Sequence, residues 1–165
     1  MTGIASNQLR SAFVAESTAG TTTSSPSFTT SDVPINMTAA PNIVEHRSLA
    51  AKGEAVETAI AGIDVTGNMS GTLVYGAYDT FFESLLQGAY STNVLKSAKT
   101  TKSVTVENAI AAGVGGTLTM MRYTGVEASS GSLTLASNAE IGFSFDLTGM
   151  GSLDTTTSAI GSSSY

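Results

Sequence analysis

The chain has 165 residues, about one domain's worth, and a 41% hydrophobic content that excludes an intrinsically disordered polymer. The absence of cysteine excludes disulfide frameworks, thiolate catalysis and most structural zinc sites. Only 12% of residues are charged, and the net charge of −6 argues against a nucleic-acid reader, whose phosphate affinity is built from clustered Lys and Arg.

The segment "QLRSAFVAE" (8–16) fits an edge strand or a short helix, so residues 1–16 are taken as an N-terminal strand or helix. Residues 17–41 form a Pro/Thr-rich arm or loop, in which Pro26, Pro34 and Pro41 each hold the preceding residue extended. Two dozen such residues are unusual inside a compact domain and favour an interaction role. A β-rich domain then spans 42–153. "NIVEHRS" (42–48) can be a strand, followed by a polar loop centred on Gly53.

The clearest pattern runs from Ile63 to Tyr75. Odd positions carry Ile63, Val65, Gly67, Met69, Gly71, Leu73 and Tyr75, and even ones Asp64, Thr66, Asn68, Ser70, Thr72 and Val74. Period-two alternation of this length predicts a strand of roughly 44 Å at ~3.4 Å per residue, with Gly67 and Gly71 marking bends or close backbone approach. A helix near 80–88 follows. Thr80 and Glu83 have capping-box spacing, Phe82, Leu85, Leu86 and Ala89 share one face, and Gly88 can close the last turn. So short a helix is unstable alone, so Phe82, Leu85 and Leu86 must pin it to a sheet.

Further strands are predicted in "KSVTVENAI", in "TLTMMRYTGVEAS" and "GSLTLAS" on either side of Gly131, and in "EIGFSFDLTG". "GVGG" (113–116) reads as a turn and "SNAE" as a hairpin, and the tail 154–165 reads as a linker. The fold class is mainly β: a sandwich or half-barrel of six or seven strands flanked by one short helix. Polar faces carrying Asp64 on the long strand and Ser144, Asp146 and Thr148 on the last are its most distinctive surfaces.

Catalytic signatures are missing. The single histidine, His46, leaves little room for a Ser-His-Asp relay, no serine lies in a G-x-S-x-G elbow, and acidic residues lack EF-hand spacing. "GVGG" lacks the Lys-Ser/Thr of a P-loop. Lys96, Lys99 and Lys102 read as a solvated turn. No enzyme activity, catalytic residue, cofactor or metal site is therefore expected. Met1 is not followed by a basic-then-apolar leader, and no apolar run nears 18 residues, so a soluble chain made in the cytoplasm, with no membrane partner, is expected.

"GNMSGTLVYGAYDTFFESLLQGAY", then "NVLKSAKTTKSVTVENAI" and "MMRYTGVEASSGSLTLASNAEIGFSFDLTGMG", with the opening "SNQLRSAFVAESTAGTTTSSPSF", resembles the tail tube proteins of long-tailed double-stranded DNA phages over almost the whole chain. The resemblance implies a β-sandwich whose strands complete a barrel between subunits of a ring, the rings stacking into a hollow virion tail tube through which DNA is ejected. Its partners would be further copies of itself, with tape measure and tail terminator proteins at the tube ends and DNA passing transiently. Asp64, Thr66, Asn68, Ser70, Thr72, Ser144, Asp146 and Thr148 would then line an acidic lumen. Ser48, Lys52, Glu54 and Glu57, with the 17–41 arm, would contact the next ring. Many such proteins carry a second similar domain, so six one-domain chains per ring and three duplicated chains both stand. A self-associating fibre or adhesin-type β-sandwich is the alternative that the Thr/Ser-rich composition also permits.

Overall fold

The computed structural model describes residues 9–24, 26–47, 56–111, 118–150 and 152–157. Among these it places ten strands and one helix: β1 (Leu9–Ala15), β2 (Thr29–Thr30), β3 (Asn36–Arg47), β4 (Val56–Thr72), α1 (Asp79–Leu86), β5 (Tyr90–Ser91), β6 (Val94–Leu95), β7 (Val104–Ala111), β8 (Leu118–Thr134), β9 (Gly142–Gly149) and β10 (Ser152–Thr156). The mainly β class with one short helix is as expected.

The strands follow one path, β2-β1-β7-β8-β9-β4-β3, with β10 on β8 and a separate β5-β6 hairpin. The path does not close on itself. Its pivot is β8, whose first half pairs with β7 and β10 and whose second half, from Glu127, pairs with β9. Two features bend it there. Gly125 has a φ of 63°, and any Cβ at that position would strike the Met150 side chain. A bulge follows between Ala128 and Ser130. The result is two sheets sharing one strand, the first β2-β1-β7-β8-β10 and the second β8-β9-β4-β3.

The core lies between them. Phe13, Val104, Val106 and Tyr123 come from the first sheet, and Val65, Met69, Phe143, Phe145 and Leu147 from the second. Helix α1 is wedged in this space: the Phe81 ring meets Phe13 edge-on at 4.8 Å between centroids and stacks near Phe145 at 6.0 Å. Ser84 is buried in the same wall, its Oγ accepting the Ala128 N–H that the bulge would otherwise leave unpaired.

Helix packing therefore differs from the sequence expectation. Phe81 and Ser84 are the buried residues, Phe82 and Leu85 pack half-buried against the core, and Leu86 is 37% exposed. The stripe is rotated because the helix touches two sheets rather than lying flat on one. The capping box is also absent. Tyr78 occupies the N-cap without a side-chain bond, Gln87 rather than Gly88 takes the left-handed C-cap, and Glu83 instead accepts the Tyr90 N–H. The last carbonyls are met by the following loop, through Ala98 N–H to Leu86 O and Thr100 N–H to Gln87 O.

Strand boundaries shift too. The long strand is Val56–Thr72, ending three residues before Tyr75 but starting seven before Ile63. Gly67 faces the backbone of Asn36, where a Cβ would lie 2.4 Å from the carbonyl oxygen, which explains glycine on an apolar-phase position. β1 is an inner strand between β2 and β7. The two runs around Gly131 are one strand, because Gly131 lets Leu85 and Phe145 approach without breaking the ladder. The tail does not begin a linker at Asp154: Ser152–Thr156 pairs with β8, with Asp154 opposite Arg122. Within the 17–41 stretch, Phe28 and Ile35 are buried, and Ile35 is held by Ser11 and Asn108 side chains. The "GVGG" turn and residues 158–165 lie outside the described residues.

Candidate functional site

On an antiparallel sheet, residues directly opposite one another share a face, and along each strand the faces alternate. In β4 the odd residues Val65 and Met69 are buried, leaving Asp64, Thr66, Asn68, Ser70 and Thr72 exposed on the other side. In β9 Phe143, Phe145 and Leu147 are buried, with Asp146 and Thr148 exposed and Ser144 half-buried opposite them.

Register brings the two sets together. Thr66 faces Thr148, Asn68 faces Asp146, and Ser70 faces Ser144, with Asp64 and Thr72 at the two ends of the block. All eight residues singled out in the sequence thus share one surface. The structure widens it by one strand on each side. On β3, Asn36 pairs with Asn68 and Thr38 with Thr66, and on β8, Ser130 pairs with Asp146 and Ser132 with Ser144. Asn36 and Thr38 were missed because they sat in the Pro-rich arm, although Met37 and Ala39, which alternate with them, carry the matching apolar phase.

The face is internally hydrogen-bonded. Ser130 Oγ donates to Asp146 Oδ2 at 2.6 Å, Asn36 Nδ2 to Asn68 Oδ1 at 3.4 Å, and Thr72 Oγ1 to Glu140 Oε2 at 2.8 Å. Hydroxyls and amides dominate it; Asp64 and Asp146 carry charge, and Glu140 at the Thr72 end and Glu127 opposite Thr148 add carboxylates. Of the cations whose side chains are described, Arg10 is on β1, the lysines are in the 96–102 loop, and Arg122 is buried against Glu107. Such a surface has no activated nucleophile, and among the described residues no cluster of three or more His, Asp or Glu is placed to hold a metal ion. What it can do is hold water and meet a phosphate chain without a cation among its described side chains.

Among the described residues, both flanks of this second sheet are open. β3 ends the strand order, and the second half of β8 has a neighbour only in β9. Beyond the sheet, β3 and β4 continue as a two-stranded arm up to the pairing of Arg47 with Val56. Ser48, Lys52 and Glu54 lie outside the described residues. Glu57 is placed by its backbone, opposite His46 near the arm's end, and its side chain lies outside the described set, as does that of His46.

A family model described as phage tail tube protein matches residues 6–165. Among solved structures, a chain of the anti-feeding prophage baseplate, 6-fold symmetrised, superposes with a TM-score of 0.59 at 11% identity, covering 94% of this chain and 97% of its own. A chain from the tail of an empty gene transfer agent particle, refined helically with C6 symmetry, gives a TM-score of 0.54 at 12% identity, with 93% and 99% covered. No curated protein matches in sequence.

Proposed function

Since the chain belongs to the phage tail tube protein family, a family of structural rather than enzymatic proteins, we propose that six copies form a ring around the polar face of the second sheet, and that stacked rings make a tube for DNA ejection. The observation that carries this reading is the coincidence, on one four-stranded sheet, of a wet face with no cation among its described side chains and two edges that no described strand pairs. Edges left open are an aggregation hazard in a monomer. Paired between neighbours, the outer edge of β3 against the second half of β8, they close a barrel whose inner wall is the polar face.

Six copies suit the six-fold symmetry of the two similar particles. Asp64, Thr66, Asn68, Ser70, Thr72, Ser144, Asp146 and Thr148 then line the bore. Ser48, Lys52, Glu54 and Glu57 would contact the next ring. Tape measure and terminator proteins would complete the tail in the virion. The family match removes the ground for the fibre or adhesin alternative.

The test is to replace Asp64 and Asp146 with Lys. Tubes should still form by negative-stain microscopy, since both side chains are exposed, while DNA ejection into buffer slows or stalls. Unchanged ejection kinetics would refute their place in the bore.

A further inference from the structure

We propose that the hollow between the end of β4, the first turns of α1 and the β5-β6 hairpin binds a small quaternary ammonium compound, held by three aromatic rings and the field of the Asp79 and Glu83 carboxylates. This goes beyond the tube reading and does not depend on it.

Local geometry builds the hollow. After Thr72 the chain turns through Gly76, whose φ is 75°, and enters α1 at Asp79. The hairpin closes on Thr92 and Asn93, both left-handed, beyond the pairs Tyr90–Leu95 and Ser91–Val94. Tyr90 is tied to the helix, its N–H donating to Glu83 Oε1 at 2.8 Å. Leu73, Val74, Tyr75, Phe82 and Tyr90 thus surround a cavity of about 380 Å³ with Asp79 at its rim. Small-molecule sites usually measure ~300–1,000 Å³.

The rings are open and the carboxylates are free of cations. Tyr75 is 94% exposed, with Val74 and Tyr90 open beside it, and none of the three belongs to the core. Phe82 meets Phe145 edge-on at 5.0 Å between centroids and is only half-buried there. Asp79, Phe82 and Glu83 stand at i, i+3 and i+4, on one side of α1. Among the described residues neither carboxylate is in an ion pair. Their field reaches the rings: partial burial, then Asp79, Glu83 and the Tyr75 hydroxyl, push the Tyr90 hydroxyl above its ordinary 10.0.

Charge and hydrogen bonding together select the ligand. The N-terminus of α1 favours an anion by about half a unit charge, which the two carboxylates outweigh. A bare metal ion lacks a ligand set, because no three described His, Asp or Glu converge here. A primary ammonium keeps three N–H donors that need acceptors. The walls are aliphatic and aromatic, polar only at Asp79, Asn93, the backbone and the tyrosine hydroxyls. A fully methylated nitrogen has no donor to satisfy, and it spreads its charge over an apolar shell that suits aromatic faces and a carboxylate at the rim.

Proton NMR of choline tests this, since a methyl group seated against aromatic rings shifts upfield. Full-length protein is titrated into choline chloride at constant ionic strength, and in parallel into 3,3-dimethylbutan-1-ol, the uncharged compound of the same shape. The N-methyl signal should move upfield and saturate, with the alcohol binding about tenfold more weakly. Tyr75→Ala and Asp79→Asn, both at exposed positions, should each weaken choline by about threefold or more while circular dichroism stays native. Equal binding of choline and the alcohol would mean an apolar hollow indifferent to charge and would overturn the proposal. Unchanged affinity in either variant would place choline elsewhere on the acidic surface and overturn it too. Nα-acetyl-lysine amide supplies the primary ammonium; tighter binding of it than of choline would overturn the quaternary assignment in favour of a basic side chain from a protein partner.

Discussion

Replacing Glu16 with Gln tests the joint on which the first sheet's geometry depends. The Glu16 carboxylate accepts four hydrogen bonds: Oε2 from Gly20 N–H at 2.8 Å and Ser103 Oγ at 2.6 Å, Oε1 from Thr105 Oγ1 at 2.7 Å and Gly125 N–H at 2.9 Å. It thereby ties the end of β1 to the turn at the start of the 17–41 stretch, to β7 and to the bend in β8. An amide of the same shape has one acceptor oxygen. Whichever way it lies, its NH₂ group opposes one hydroxyl and one backbone N–H. The hydroxyl can rotate; the N–H of Gly20 or Gly125 cannot, and is left unpaired at a cost of about 1–3 kcal/mol. The two surviving bonds lose their charge assistance, which brings the total to about 2–4 kcal/mol. Urea unfolding should show the midpoint falling by about 1–2 M with an unchanged m-value. A shift below about 0.5 kcal/mol would refute the account, because it would mean that solvent already satisfies these donors.

Phe81→Ala should destabilise the subunit by about 3–5 kcal/mol and Leu86→Ala by about 1 kcal/mol or less, measured in the same unfolding assay; equal losses would contradict the rotated helix stripe. Arg122→Met should cost about 3–5 kcal/mol because it leaves the Glu107 carboxylate buried without its cation, whereas the double replacement Arg122→Met with Glu107→Leu should recover most of the loss. Burial pushes the Tyr78 and Tyr123 hydroxyls above their ordinary 10.0. The folded state thus favours the neutral form, a stabilisation complete below the ordinary value and lost as pH rises through the raised ones. The thermal midpoint should fall above about pH 10, less steeply in Tyr123→Phe.

What the sequence makes legible is set by how many sides of an element are wet. β4 and β9 each bury one face and solvate the other, so their alternation can be read directly, and with it the residues of the polar surface. β7 also alternates, but Thr105 and Glu107 on its second face are as buried as Val104 and Val106. Nothing in "TVENA" announces that, because the burial of Glu107 depends on Arg122 fifteen residues away, brought opposite by the β7-β8 register. The helix was recognised and its stripe misplaced for a related reason: a helix between two sheets needs partners in two directions, and Phe81 serves both. The start of β3 was hidden by Pro34 and Pro41, since proline argues against a strand unless the strand lies at an edge, as β3 does. Glu16 gave no signal, because its four donors converge from separate parts of the chain.

Under the tube reading, the polar face also says how a bore should keep DNA moving. A carboxylate and a phosphate about 10 Å apart in water repel by about 0.4 kcal/mol, less than thermal energy and further screened at physiological salt. Two aspartates per copy therefore do little by repulsion alone. The larger effect is what the face omits: a lysine reaching a phosphate releases condensed counterions and holds the strand, and no cation stands among the described residues of this surface. Ser130 is engaged by Asp146 and Asn36 by Asn68, and this lowers the demand of those groups for an external partner. Replacing Asp64 and Asp146 with Asn should accordingly slow ejection little, and replacing them with Lys should slow it far more, with a strong dependence on salt. Equal slowing by Asn and Lys would show instead that the carboxylates themselves, through a summed field around the ring, keep the chain from sticking.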